Sequence, residues 1–161
     1  MRAEIIRDDE GYTATFARTL SHPPGKVWEM LTANEKLKQW FPELSMEELE
    51  SGGNIQFDKG NGTFENGAIL EFEEGKVLGF EWGEEEVRFE IQPDNGNTRL
   101  FLIETISRIM PQTAKDLAGW HVCLDVIQAH LDGTEIMREE VWEKELPEYQ
   151  RLLDSLTGSL G

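Results

Sequence analysis

His121 and Asp125 stand four residues apart, one helical turn, a spacing at which an imidazole and a carboxylate can share a metal ion or orient a general base. No third ligand accompanies them, so the pair reads as part of a polar helix face and no metal site is expected. Cys123 is the single cysteine of the chain, which removes an internal disulfide and a Cys-based zinc site. Among apolar helix neighbours, with no basic partner in view, it reads as small core filler rather than a reactive thiolate. His22 fits the entry to a helix and His130 a partly buried place near a helix end. Neither is accompanied by a serine in a strained elbow, which a nucleophilic triad needs. Gly60-Asn61-Gly62 offers glycines, but a phosphate-cradling loop must open a helix whose amides receive the phosphate. Thr63-Phe64 continues as a strand, so a hairpin is expected there.

Glu104 follows Leu100 and Leu102 on one alternating row of a strand, where a carboxylate is costly to bury unless paired, protonated or facing a polar ligand. Two readings stand side by side: a carboxyl facing an interior cavity, or a strand-end residue reaching solvent or Arg99.

The elements that would position these groups follow from periodicity. Residues 12–20 are rich in β-formers and read as a first strand. Pro23-Pro24 suits a first helical turn leading to Val27, Trp28, Met30 and Leu31. Thr32 and Glu35 have capping-box spacing for a second short helix that ends at Trp40-Phe41-Pro42. From Leu44 to Arg108, turn signals such as Gly52-Gly53, Glu74-Gly75, Gly83-Glu84 and Asp94-Asn95-Gly96-Asn97 divide strand-sized segments, the pattern of an antiparallel meander. Within it Leu78, Phe80 and Trp82 share one face, as do Val87, Phe89 and Ile91. Leu117, Trp120, Leu124, Ile127 and Leu131 then recur at helical spacing, with His121, Asp125, Gln128 and Asp132 on the opposite stripe. A last pattern, Trp142, Leu146, Tyr149, Leu153 and Leu156, is interrupted by Pro147, which is expected to kink the helix or start a new one. The fold class is therefore α+β, one domain over 1–161 with 133–161 as a helical C-terminal extension.

Composition narrows the partners. The chain has 161 residues, 15 basic and 32 acidic, for a net charge of −17. Residues 43–90 alone contribute −11 of it. Such a chain presents no basic footprint for nucleic acid or an anionic membrane surface, and no apolar run approaches the ~18 residues of a membrane span. A lone cysteine and an N-terminus without an apolar signal core point to the cytoplasm. A solvated, soluble sheet face accounts for the acidic stretch.

The ordered set Val27-Trp28, Trp40-Phe41-Pro42, Gly52-Gly53, Gly67, Phe80-Glu81-Trp82, Thr98-Arg99-Leu100 and Gly119-Trp120 with Leu124, Ile127 and Leu131 resembles the activator-of-heat-shock-90-ATPase-homologue-like family of the START-like, or SRPBCC, superfamily. The resemblance covers roughly residues 12–132. It implies a helix-grip fold, an antiparallel sheet curled around the long C-terminal helix with an apolar cavity between, and no shared catalytic motif. The ligand cavity would be lined by Trp28, Phe41, Phe72, Trp82, Phe89, Glu104, Trp120 and Leu124. Regularly spaced aromatics usually fill a core, but a helix-grip sheet leaves space that some of them line.

Three functions are compatible with this. The leading one is a small soluble protein that encloses a hydrophobic or aromatic small molecule between sheet and helix, with no cofactor and no metal. The second is a chaperone-associated interaction module with a protein partner, although the chain leaves no room for the N-terminal domain by which eukaryotic co-chaperones contact the ATPase. The third is an enzyme of the cyclase or hydratase type, for which Glu104 is the single candidate acid or base and no second catalytic residue can be placed beside it. The oligomeric state stays open.

Overall fold

Alternation of apolar and polar side chains, broken by glycine-containing turns, produces eight strands in the computed structural model, which describes residues 2–157. They are β1 (Glu4–Asp8), β2 (Gly11–Leu20), β3 (Leu44–Glu48), β4 (Asn54–Asp58), β5 (Phe64–Glu73), β6 (Val77–Trp82), β7 (Glu85–Asp94) and β8 (Asn97–Ile106). The helices are α1 (Pro24–Thr32) and α2 (Asn34–Leu37) between β2 and β3, then α3 (Thr113–Asp132) and α4 (Arg138–Thr157). The strands form one antiparallel sheet in the order β1-β2-β8-β7-β6-β5-β4-β3, so β8 returns to lie beside β2. The inner faces of β2, β6, β7 and β8 and the apolar stripe of α3 bury one another in a single core, the helix-grip arrangement expected. Leu117, Trp120, Leu124 and Ile127 of α3 are all buried, as are Phe80, Val87, Phe89 and Leu102 of the sheet.

Several local expectations change. Strand β1 precedes the first expected strand and pairs Glu4 to Asp8 with Thr15 to Gly11. Thr32 does not cap the second helix. It is the last residue of α1, and its hydroxyl donates to the Trp28 carbonyl. Asn34 opens α2 and ties it to β3, its side chain bonding both the N–H and the C=O of Met46. Pro147 does not divide the last helix: α4 runs through it for 20 residues. Both Pro147 and Glu143, whose carbonyl loses its partner, lie on the exposed face, where water replaces the missing bond. The last four positions of the expected extension, 158–161, lie outside the described residues.

The polar stripe of α3 is covered at its N-terminal end, while Asp132 at the other end stays exposed. Helix α4 packs over it, leaving His121 only 4% exposed. His121 Nδ1 sits 2.8 Å from the Tyr149 hydroxyl, which also accepts the Ala3 N–H at 3.0 Å. Asp125 lies 3.5 Å from both His121 Nε2 and the buried Arg18, and Glu145 is 2.6 Å from Arg2. Burial holds the His121 imidazole below its usual pKa, against the pull of Asp125. His130, expected to be partly buried, is exposed, while His22 bonds Asp132 at 2.6 Å.

Candidate functional site

Strand β5 is shared unequally between its neighbours, and this opens the sheet. Phe64 to Ala68 pair with β4, whereas Ile69 to Glu73 pair with β6, with a register shift between Ile69 and Glu71. Beyond the Ile69 and Phe80 pair, the ladder between β5 and β6 ends. The Glu81 carboxylate spans the gap by accepting the Ala68 N–H at 2.8 Å, in place of a ladder bond. Gly67 is required here, since a Cβ would stand 2.6 Å from the Glu81 carbonyl oxygen. The fork is the mouth of a cleft of about 430 Å³ walled by Ile55, Phe57 and Trp82 on the apolar side and by Glu65, Glu81, Glu84, Glu85 and Asp116 on the polar side.

A second cleft of about 270 Å³ adjoins the first across Trp82 and Asp116. It runs over α3 past Phe41, Gly119, Trp120 and Cys123 to Lys115 and Arg138. A Cβ on Gly119 would meet nothing within 4 Å, so this glycine leaves a notch in the helix surface. The floor common to both clefts is an edge-packed aromatic cluster. Trp82 lies 5.2 Å from Phe57, 5.6 Å from Phe41 and 5.3 Å from Trp120 between ring centroids, and Trp120 reaches Phe89 at 6.3 Å. Such contacts contribute about 0.5–1.5 kcal/mol each beyond burial, so the floor is a rigid surface rather than a collapsible one.

The eight residues expected to line a cavity separate into groups. Phe41, Trp82 and Trp120 come together along the clefts, with Phe89 behind them in the core. Trp28 and Phe72 form their own pair at 5.8 Å, away from both clefts. Leu124 is fully buried between helix and sheet. Glu104 faces inward from β8, opposite Ala14 and Val87, and is 2% exposed. It does not reach Arg99, whose guanidinium lies over the Phe101 ring at 5.2 Å. The Glu104 Oε1 has no hydrogen-bond partner, and burial first, then the charges of Asp116 and Glu85, push its pKa up to about 8.

Asp116 and the 81–85 turn were not among the expected site residues. Asp116 stands one helical turn before Trp120, and that spacing was the available signal; the turn reaches the site only through the fork of β5, which no local pattern encodes. Cys123 is core as expected, though it has a basic neighbour: Arg138 donates to the Trp40 carbonyl at 2.9 Å, close to the thiol. Burial still prevails and pushes the thiol up to about 12. Among the described residues, no three His, Cys, Asp or Glu side chains are grouped to hold a metal ion, and no helix is long and apolar enough to cross a membrane.

Solved structures share this architecture. A conserved protein of unknown function from Enterococcus faecalis superposes with a TM-score of 0.79 at 24% identity, over 93% of this chain and 91% of its own. CalU16 from Micromonospora echinospora gives 0.73 at 19% identity over 94% and 98%. The Aha1 dimer from Colwellia psychrerythraea gives 0.61 at 17% over 72% and 92%. No curated protein matches the chain. The family model described as Activator of Hsp90 ATPase homolog 1-like protein matches residues 21–132, from the entry to α1 through the end of α3. That span holds the fork, the first cleft, all of the second but Arg138, and the gripped helix, and by it the chain belongs to the Activator of Hsp90 ATPase homolog 1-like family.

Proposed function

We propose that the protein binds a small apolar or aromatic molecule across the two adjoining clefts, with its body against Trp82, Phe41 and Trp120. The observation that carries this is the half-buried Trp82, an aromatic surface that both clefts share and that the surrounding rings hold in place. Burial of a ligand's apolar area on such a floor supplies affinity, and the fork and the notch at Gly119 supply shape. Binding is favoured over turnover because Glu104 is closed off from water and lines neither cleft. A cytoplasmic setting, where a lone thiol stays reduced, suits Cys123.

The test is native mass spectrometry of freshly purified protein, followed by titration with an aromatic fragment set read by tryptophan emission and the indole N–H resonances. Wild type should retain or take up one equivalent and shift the Trp82 indole. Gly119→Leu should fold as well as wild type, because its side chain enters open space on a helix that gains propensity, yet bind at least tenfold more weakly. The reading fails if no fragment moves Trp82, or if binding survives both Gly119→Leu and Trp82→Ala.

A further inference from the structure

Away from both clefts, α4 is seated on α3 through a polar cluster in which His121, Tyr149, Glu145 and Arg18 are all buried. The hydrogen bonds within it fix where the protons lie. The Tyr149 hydroxyl has two partners, the Ala3 N–H at 3.0 Å and His121 Nδ1 at 2.8 Å. A backbone N–H can only donate, so the hydroxyl accepts from Ala3 and its own proton goes to Nδ1. Burial pushes this phenol up to about 12, so it keeps that proton near neutral pH. Nδ1 is therefore an acceptor. The neutral imidazole carries its proton on Nε2, which faces Asp125 at 3.5 Å and Glu145 at 3.8 Å.

Both carboxylates near Nε2 already face a cation. Arg18 of β2 lies 3.5 Å from Asp125, and Arg2 lies 2.6 Å from Glu145. Two carboxylates and two guanidiniums thus surround a neutral ring, and the charge of the amino terminus adds to the positive side. A second proton on the ring would leave the buried cluster with excess positive charge. It would also set an Nδ1–H against the Tyr149 O–H across 2.8 Å. The hydroxyl would have to turn away, and no other acceptor for it is present among the described residues, so a fully buried O–H would lose its partner. Burial and Arg18 accordingly oppose protonation of His121, and prevail over the pull of Asp125 and Glu145.

We propose that the hydrogen bond between His121 and Tyr149 is a proton-operated latch, which holds α4 and the N-terminal segment on α3 while the imidazole is neutral and releases them when it takes a second proton. The elements it holds are peripheral. Strand β1 is an edge strand paired to β2 alone, and α4 packs on α3 outside the gripped core, so both can open while β2, β6, β7 and β8 stay closed around α3. Opening returns the imidazole to water, where its ordinary value is 6.5. Each pH unit below that favours the open form by up to about tenfold, until the folded value is passed. Helix α4 also carries Arg138 to the wall of the second cleft, so the latch controls how firmly that wall is held.

Two measurements on wild type decide this. Nitrogen correlation spectra of the histidine rings at about pH 7.5 should show His121 neutral, with its proton on Nε2 and Nδ1 accepting. Hydrogen exchange, corrected for the intrinsic effect of pH, should show protection in α4 and β1 falling about tenfold between about pH 7.5 and about pH 5.5, while β7 and β8 keep theirs. A variant then assigns the effect to the ring. His121→Asn puts an amide oxygen close to the place of Nδ1, where it can accept the Tyr149 proton but cannot titrate, and its α4 protection should change less than about twofold over the same range. A proton on Nδ1 at pH 7.5 overturns the latch, as does α4 protection that holds or rises in acid. So does an equal fall in α4 and in β7 and β8, which would be a property of the whole fold, or a His121→Asn protein that loosens in acid as much as wild type.

Discussion

Glu104 and His121 are both closed off from water, and their titrations act on stability in opposite directions. Glu104 has an ordinary pKa of 4.5 and a folded value of about 8, so between these the folded state holds the extra proton. Its contribution is complete below about 4.5 and is lost as pH rises through 8. His121 is lowered from 6.5, so the unfolded state holds the extra proton below that value, and stability declines as pH falls through 6.5. Between pH 6.5 and 8 the Glu104 effect acts without that opposition. Denaturant titrations should show wild type losing about 2 kcal/mol across that range, and Glu104→Gln, which keeps the volume and cannot ionise, should remove most of the slope. An unchanged slope in the variant would show that Glu104 is ionised in the folded protein throughout.

At the scale of elements, α4 buries Glu145, Tyr149 and Leu153, and of these Tyr149 joins it to two other parts of the chain. Tyr149 is fully buried on the face of α4 that meets α3, and its hydroxyl joins the Ala3 N–H before β1 to His121 on α3. Tyr149→Phe keeps the ring and leaves two buried polar groups without a partner, which should cost about 1–3 kcal/mol. Hydrogen exchange should locate the loss in α4 and β1. Full stability in the variant would mean that ring packing alone seats the helix. The sequence carried the apolar side of this contact, since Tyr149 and Leu153 lie on the expected stripe. It concealed the polar side, because a histidine and an aspartate one turn apart look solvent-facing until another helix covers them. Pro147 misleads for a related reason: the Glu143 carbonyl it orphans lies on the exposed face, open to water, and the helix continues past it.

For the whole molecule, a net charge of −17 sets a self-repulsion that the fold must withstand. Arg88 shows local relief: its guanidinium bridges Glu71 at 2.9 Å and Glu90 at 2.6 Å, and the bond to Arg88 holds the Glu71 carboxyl below its usual range. Such exposed pairs are few against 32 acidic residues, so screening should stabilise the protein. Raising NaCl from 0.05 to 0.5 M should raise Tm by about 3 °C, the equivalent of roughly 1 kcal/mol for a chain of this size. A Tm that falls with salt would show that attractive pairs dominate the field.

Residue order alone determined the meander and the apolar stripe of α3 that the sheet grips, and it placed Glu104 on the row of Leu100 and Leu102 while leaving open whether that carboxyl faces inward. Each of these is a periodicity of two or of 3.6 residues, written along a single stretch of chain. Tertiary structure decided the site. The fork between β5 and β6, the meeting of the 81–85 turn with Asp116, and the division of the aromatics into a floor around Trp82 and a separate Trp28 and Phe72 pair depend on how β5 divides its hydrogen bonds between two neighbours. β4 and β6 lie on opposite edges of β5, so where each ladder stops is set by the three strands together, and no pattern of residue types within one strand carries it.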